Sequence, residues 1–161
     1  MSAALETFVF DRWEAPVGID ARAVASERDL DAWLDVAGAC GWHENAADRL
    51  AWRTLFLDLG LAPSAPIRLY VALRDNRAVG MASAFYAGTL ALLTTVAVPV
   101  DERRRGIGRA LASMRMSEAC ERGCNTAVLA PTPDGARLYE ALGFETHRQP
   151  PDRWLYLPTA V

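Results

Sequence analysis

The sequence predicts one mixed α/β domain built around a central sheet. Three observations carry that expectation. The first third of the chain holds apolar residues at helical spacing, whereas the middle holds β-forming runs bounded by turn residues. From residue 89 onward strand-like and helix-like stretches alternate. At 161 residues, with no repeat, low-complexity stretch or long linker, the chain suits a single domain (1–161) with a sizeable core of its own.

The elements follow in order. Residues 1–25 form an irregular or short-strand N-terminal segment, punctuated by Pro16 and Gly18. Ser26 is a helix N-cap with Asp29 three residues on, and Leu30, Trp33, Leu34 and Ala37 follow at helical spacing. Gly38 and Gly41 are expected to end that helix. A second helix is expected over 48–59, with Leu50, Thr54, Phe56 and Leu57 on its apolar side and Gly60 closing it. "IRLYVAL" (67–73) alternates, "RDNRA" is a polar turn and "VGMASAFYAG" (79–88) is again extended, which makes a hairpin. "TLALLTTVAV" (89–98) is nearly continuous in apolar residues and reads as a strand buried on both faces. A helix over 109–122, stopped by Gly123, leads to a second buried strand, "TAVLAP" (126–131). The next helix has Thr132 as N-cap, Pro133 at its first position, Asp134 in its first turn and Gly143 at its end. "FETHRQ" and "RWLYLP" complete the sheet.

Composition narrows the function. A net charge of -3 argues against a general nucleic-acid binder, which carries a basic surplus. Cys40, Cys120 and Cys124 share no metal-ligand spacing with His43 or His147, so they read as reduced packing residues of a cytoplasmic protein, and no metal is expected. The N-terminus lacks the pattern of a secretory signal, and the longest apolar stretch, 90–100, is too short to span a bilayer. A soluble, membrane-independent protein is expected.

Against that acidic background, Arg103-Arg104-Arg105-Gly106-Ile107-Gly108-Arg109 concentrates four arginines between a strand and a helix. A helix N-terminus offers unpaired N–H groups and the positive end of its dipole. Glycines let a ligand approach that backbone, and arginines add full charge. Such a turn suits a phosphate group. Arg109-Ala110 lacks the Lys-Ser/Thr of a P-loop, and Leu111 stands where a dinucleotide fingerprint needs its third glycine.

The remaining Arg-x-x-Gly-x-Gly pattern resembles the pyrophosphate loop of the GCN5-related N-acetyltransferase (GNAT) family. "VAV" (96–98) stands where that family's strand meets pantetheine, and "ARLYEALGF" (136–144) is similar to its late Leu-Tyr-Glu-x-x-Gly-Phe helix. Two motifs at the family's separation, each in the right context, carry the resemblance. It implies a mostly antiparallel sheet flanked by helices and splayed between the family's strands four and five, here 89–98 and 126–131. Acetyl-CoA would be the co-substrate, its pantetheine arm meeting Val96, Ala97 and Val98. Its pyrophosphate would lie on Arg103, Arg104, Arg105, Gly106, Ile107, Gly108 and Arg109. Thr132 stands where the family commonly has asparagine and can still cap the helix and touch the arm.

The same resemblance implies acetyl transfer to a primary amine of a small molecule or peptide by direct attack in a ternary complex. Tyr139 occupies the family's acid position and would protonate the departing thiolate, and the Val98 amide is the candidate oxyanion donor, since Pro99 has no N–H. Strand 89–98 lacks the carboxylate that many members use as a base, which leaves Glu44 or His43 as candidates. That gap also motivates an alternative, a catalytically degenerate acyl-CoA sensor or partner domain. Trp42 could line the acceptor pocket or close the core. Glu27, Asp29, Asp31 and Asp35 could receive a cationic acceptor but suit a solvated helix face better. Aminoglycoside, amino-acid and protein N-terminal acceptors stay open, and the family's dimers leave room for a homodimer.

Overall fold

The computed structural model describes residues 1–4 and 17–146. Within them the chain forms β1 (Ser2–Ala4), β2 (Asp20–Ala23), α1 (Glu27–Ala39), α2 (Ala46–Leu59), β3 (Ile67–Arg74), β4 (Arg77–Ala87) and β5 (Leu90–Ala97). A 3-10 turn (Val100–Glu102), α3 (Ile107–Glu121), β6 (Thr126–Val128) and α4 (Pro133–Ala141) follow. The strands make one sheet in the order β1-β6-β5-β4-β3-β2, antiparallel except for the parallel pair β5 and β6. This is the mixed α/β arrangement expected. "RWLYLP" and His147 lie outside the described residues; of "FETHRQ", Glu145 exchanges two backbone hydrogen bonds with Ser2.

Local chemistry sets the helix ends. Ser26 Oγ accepts the Asp29 amide at 3.2 Å and donates to the Asp29 carboxylate at 2.8 Å, fixing the start of α1. Gly38, expected to stop that helix, lies inside it. A Cβ there would sit 2.6 Å from His43 Cε1, so the glycine makes room for an imidazole whose Nε2 meets the Leu34 carbonyl at 2.9 Å. α2 begins two residues before the expected start, because Asn45 caps it by accepting the Asp48 amide. The acids of α1 form no simple solvated face. Arg49 and Arg53 of α2 pair with Glu27, Asp31 and Asp35, and Arg22 pairs with Asp29.

Helices α1 and α2 pack Trp33, Leu34 and Phe56 on Leu69, Val71 and Met81 on one face of the sheet. On the other face, Ile107, Leu111 and Met116 of α3 and Tyr139 of α4 pack on Tyr70, Ala82 and Leu93. Alternate residues of β3 thus enter both layers, and the expected strand is buried on both faces. The run 89–98 shows the reverse: β5 alternates, with Leu90, Leu92 and Thr94 exposed. Among the described residues α1 packs chiefly over β3 and β4 on that face, while α3 packs over β5 on the other. Gly80 of β4 lets α3 approach, since a Cβ would lie 2.5 Å from Ile107 Cγ2.

Behind α3, Glu118 accepts hydrogen bonds from Tyr70, Arg68 and Arg122. Burial opposes its charge, but the Tyr70 and Arg122 hydrogen bonds and the Arg68 charge outweigh it and hold the carboxyl below its ordinary range.

Candidate functional site

The sheet opens where the parallel pair ends. β5 and β6 pair only through Leu90↔Thr126, Ala91↔Ala127 and Leu92↔Val128. Beyond Val128 the chain turns to the N-terminus: the Leu129 amide donates to the Met1 carbonyl at 2.9 Å, and the Met1 amino group donates to the Leu129 carbonyl at 2.7 Å. β6 therefore stops before the expected residue 131. Among the described residues, positions 93–97 of β5 have no strand partner on the side away from β4. A bulge adds to the opening. Ser83 faces Thr95 and Ala84 faces Leu93, so Thr94 has no opposite residue.

β5 runs into the arginine–glycine turn. Glu102, nearly fully buried, pairs with Arg74 at 2.7 Å, with Arg77, and with Arg105 at 3.8 Å, pinning the turn to the β3–β4 hairpin. The acid that precedes the arginines is thus neutralised internally. Arg103 Nε donates to the Val98 carbonyl at 3.1 Å, while the side chains of Arg103, Arg104, Arg105 and Arg109 are exposed. Arg104 (φ +65°) and Gly106 (φ +79°) both adopt the left-handed region, a conformation that curls successive amides toward one concavity. α3 begins at Ile107 rather than Arg109, since buried Ile107 anchors the first turn against Gly80. The Ala110 amide bonds the Gly106 carbonyl at 3.0 Å, so the amides of Gly106, Ile107 and Gly108 precede that first helical bond. A Cβ at Gly108 would meet Leu138 Cδ2 at 3.6 Å and Val96 Cγ1 at 3.8 Å, which are ordinary contacts. The turn, the free part of β5 and α4 converge at that glycine.

Thr132 caps α4 as expected, its hydroxyl accepting the Gly135 amide at 3.2 Å. Tyr139 lies on the inward face of this helix, edge-on to Phe144, with only 7% of its surface exposed. Its phenol oxygen accepts a hydrogen bond from Arg115 Nη2 at 3.1 Å. Sequence reasoning missed Arg115. This wholly buried guanidinium also donates to the carbonyls of Leu111 at 3.2 Å, Ser83 at 2.9 Å and Thr95 at 3.0 Å. It satisfies carbonyls on both strands at the bulge and ties Tyr139 to them. The available signal was an arginine among the apolar positions of an otherwise core-facing helix stripe.

On the other face of the sheet a cavity of about 200 Å³ lies against the bulge. Its walls are Trp33, Leu34 and Ala37 of α1, Trp42 of the connecting loop, Trp52 and Phe56 of α2, and Ile67 of β3; Ser83, Thr94 and Thr95 form its polar end. Trp42 thus lines this cavity and is partly exposed. Glu44 is exposed on the same loop and is not part of the lining, and its amide faces Asp48. His43 is engaged by the Leu34 carbonyl. At the end of β5 Val96 and Val98 pack with the α3 core and Ala97 with the α1–α2 core, while Glu44 stands exposed on the loop between α1 and α2. Among the described residues no group of His, Cys, Asp and Glu could hold a metal ion, and no helix is long and apolar enough to cross a membrane.

A mostly antiparallel sheet whose one parallel pair is short, with an arginine–glycine helix start beside its free strand edge, defines a mixed α/β fold. The comparisons name the class. A family model described as an acetyltransferase (GNAT) domain matches residues 65–146, just over half of the chain, which therefore belongs to the GNAT acetyltransferase family. Solved structures share the fold. The aminoglycoside acetyltransferase AAC(6')-Iy, in complex with the bisubstrate analogue CoA-S-monomethyl-acetylneamine, superposes with a TM-score of 0.71 at 18% identity, over 86% of this chain and 99% of that one. An acetyltransferase of Trypanosoma brucei gives 0.66 at 22% identity, over 85% and 99%. Glucosamine-6-phosphate N-acetyltransferase from Arabidopsis thaliana gives 0.70 at 12% identity, over 86% and 99%. No curated protein matches by sequence.

Proposed function

We propose that the protein transfers an acetyl group from acetyl-CoA to a primary amine by direct attack within a ternary complex. One observation carries this reading: the unpaired end of β5 meets the arginine–glycine turn at Gly108, with Tyr139 held behind it, in a chain of an acetyltransferase family.

The residues fit the co-substrate. Backbone groups of Val96, Ala97 and Val98 line the open strand edge and suit the amides of a pantetheine arm. The Val98 carbonyl is occupied by Arg103, so Val98 contributes its amide, the candidate donor to the oxygen that gains charge as the amine adds. Amides of 104–109 and the guanidiniums of Arg103, Arg104, Arg105 and Arg109 suit a diphosphate, with Gly108 leaving the approach clear. Thr132 holds the start of α4 and so the height of Tyr139 above the gap.

Acetyl-CoA supplies an activated acyl group as a thioester. The amine nitrogen forms a bond to the carbonyl carbon and the C–S bond breaks with its electron pair on sulfur. Tyr139 is set to protonate that sulfur: Arg115 already donates to its oxygen, which leaves the phenol hydrogen for another acceptor. The surplus amine proton passes to water, with the exposed Glu44 carboxylate as its candidate acceptor.

Calorimetry with acetyl-CoA, and thiol release with a panel of amines, test the reading. Binding followed by amine-dependent thiol release is expected; tight binding with no turnover on any amine would mark a sensor instead. Tyr139→Phe should lower kcat about a hundredfold with acetyl-CoA affinity retained. An unchanged kcat would remove the proton-donor role.

A further inference from the structure

We infer that the acceptor is a small monoamine whose carbon body is one apolar ring, or an aliphatic group of similar bulk, held in the aromatic cavity between α1, α2 and the sheet. This acceptor class presupposes the transferase reading above and specifies its second substrate.

Size comes first. A dry apolar cavity of about 150 Å³ holds one benzene molecule. At about 200 Å³ the walled part of this open cavity matches one six-membered ring with a short chain. Its walls are aromatic: Trp52 stacks on Phe56 at 5.7 Å, and Trp33 meets Phe56 edge-on at 5.2 Å. Trp33 is rigidly seated, its indole N–H donating to the Ala82 carbonyl at 3.0 Å. Trp42 and Trp52 are 47% and 38% exposed, which places them at the mouth.

Charge comes second. Among the described residues no charged side chain lines the cavity. The nearby α1 acids are already committed, Asp31 and Asp35 to Arg49, and Glu27 and Asp31 to Arg53. Inside the cavity the further ammonium groups of a polycation would lose hydration against apolar walls, since Glu44 stands on the loop outside the lining. A monoamine avoids that loss, and an apolar wall favours its neutral form, the form that attacks.

Polarity within the cavity orients the amine. The polar end consists of Ser83, Thr94 and Thr95, with Ser83 Oγ 2.8 Å from Thr94 Oγ1. These hydroxyls sit at the bulge of β5, the strand whose free edge receives the thioester in the proposed reaction. A ring between the tryptophans therefore directs its amine to the strand that carries the acyl group.

The intact protein is tested with 2-phenylethylamine, kanamycin and spermine as probes, after calorimetry with acetyl-CoA alone. The kcat/KM for 2-phenylethylamine should exceed that for either polycation by about tenfold or more, within the range a hydrophobic pocket discriminates. Trp52→Ala should raise the KM for 2-phenylethylamine by about tenfold with acetyl-CoA affinity kept, and Trp52→Phe should recover part of the loss. Thr94→Val, which leaves the aromatic walls untouched, should lower kcat more than it changes KM. Better turnover of kanamycin or spermine overturns the acceptor class, as does failure of 2-phenylethylamine to bind the CoA-loaded protein, or an unchanged KM in Trp52→Ala. If acetyl-CoA itself does not bind, the transferase reading falls as well; if it binds and a polycation is preferred, the acceptor class alone falls.

Discussion

The two sides of β5 are built from different materials. The side toward α3 and α4 presents backbone amides, a glycine and arginines contributed largely by one continuous segment, 96–109. The side toward α1 and α2 is an aromatic cavity whose lining comes from six separate pieces of chain, with hydroxyls only on β4 and β5. A ligand common to a whole family can be gripped by backbone, which is present whatever the sequence. A ligand particular to one member has to be recognised by side chains, and those are free to vary on the fold. Arg115 joins the two sides, bonding Ser83 and Thr95 at the bulge and Tyr139 on α4.

Substitutions should separate the sides in order of severity. Gly108→Glu has the largest expected effect: a carboxylate beside the diphosphate should weaken acetyl-CoA by about a hundredfold or more in calorimetry. Gly108→Ala should leave stability nearly unchanged, because its Cβ meets only ordinary contacts. If Gly108→Glu kept full affinity, the turn would not be the phosphate site. Arg115→Met comes next. It strands buried carbonyls of Ser83 and Thr95 and the Tyr139 hydroxyl, and should cost about 3 kcal/mol or more in urea unfolding, since each unsatisfied buried group costs roughly 1–3 kcal/mol. A stability equal to the parent protein would mean that the bulge does not depend on this side chain.

The smallest effect is that of acid. Burial opposes the charge of Asp31, yet hydrogen bonds from Arg53 and Arg49 outweigh it and hold the carboxyl below its ordinary 3.8; Glu118 is likewise held below 4.5. Both groups are harder to protonate folded than unfolded. Their stabilisation is therefore complete above those ordinary values and is lost as the pH falls through them toward the lower folded ones. Urea midpoints followed from pH 6 to about 3 should decline, and Glu118→Gln should flatten the decline more than Asp31→Asn, whose carboxylate is more exposed. Equal slopes in all three proteins would contradict this assignment.

Much of the fold was legible because its signals are local. Ser26, Thr132 and Gly60 mark helix ends through their own hydrogen bonds or dihedrals, and those expectations hold. Gly38 misled because its role is set by His43, five residues away but folded back onto the helix. The expectation that 89–98 is buried on both faces failed because burial depends on which strand a helix layer happens to cover. The end of β6 depends on Met1, which lies far from it in sequence.

Sequence by itself determined the elements, the arginine–glycine turn and the family, since caps, turns and family motifs are written in consecutive residues. Tertiary structure alone decided that Arg115 fills the bulge and reaches Tyr139, that Glu27, Asp31 and Asp35 of α1 are engaged by arginines of α2, and that tryptophans distant in the chain enclose one cavity. Those facts are contacts between segments whose spacing along the chain carries no record of their spacing in three dimensions. They are fixed only when the sheet, its bulge and the two helix layers pack together.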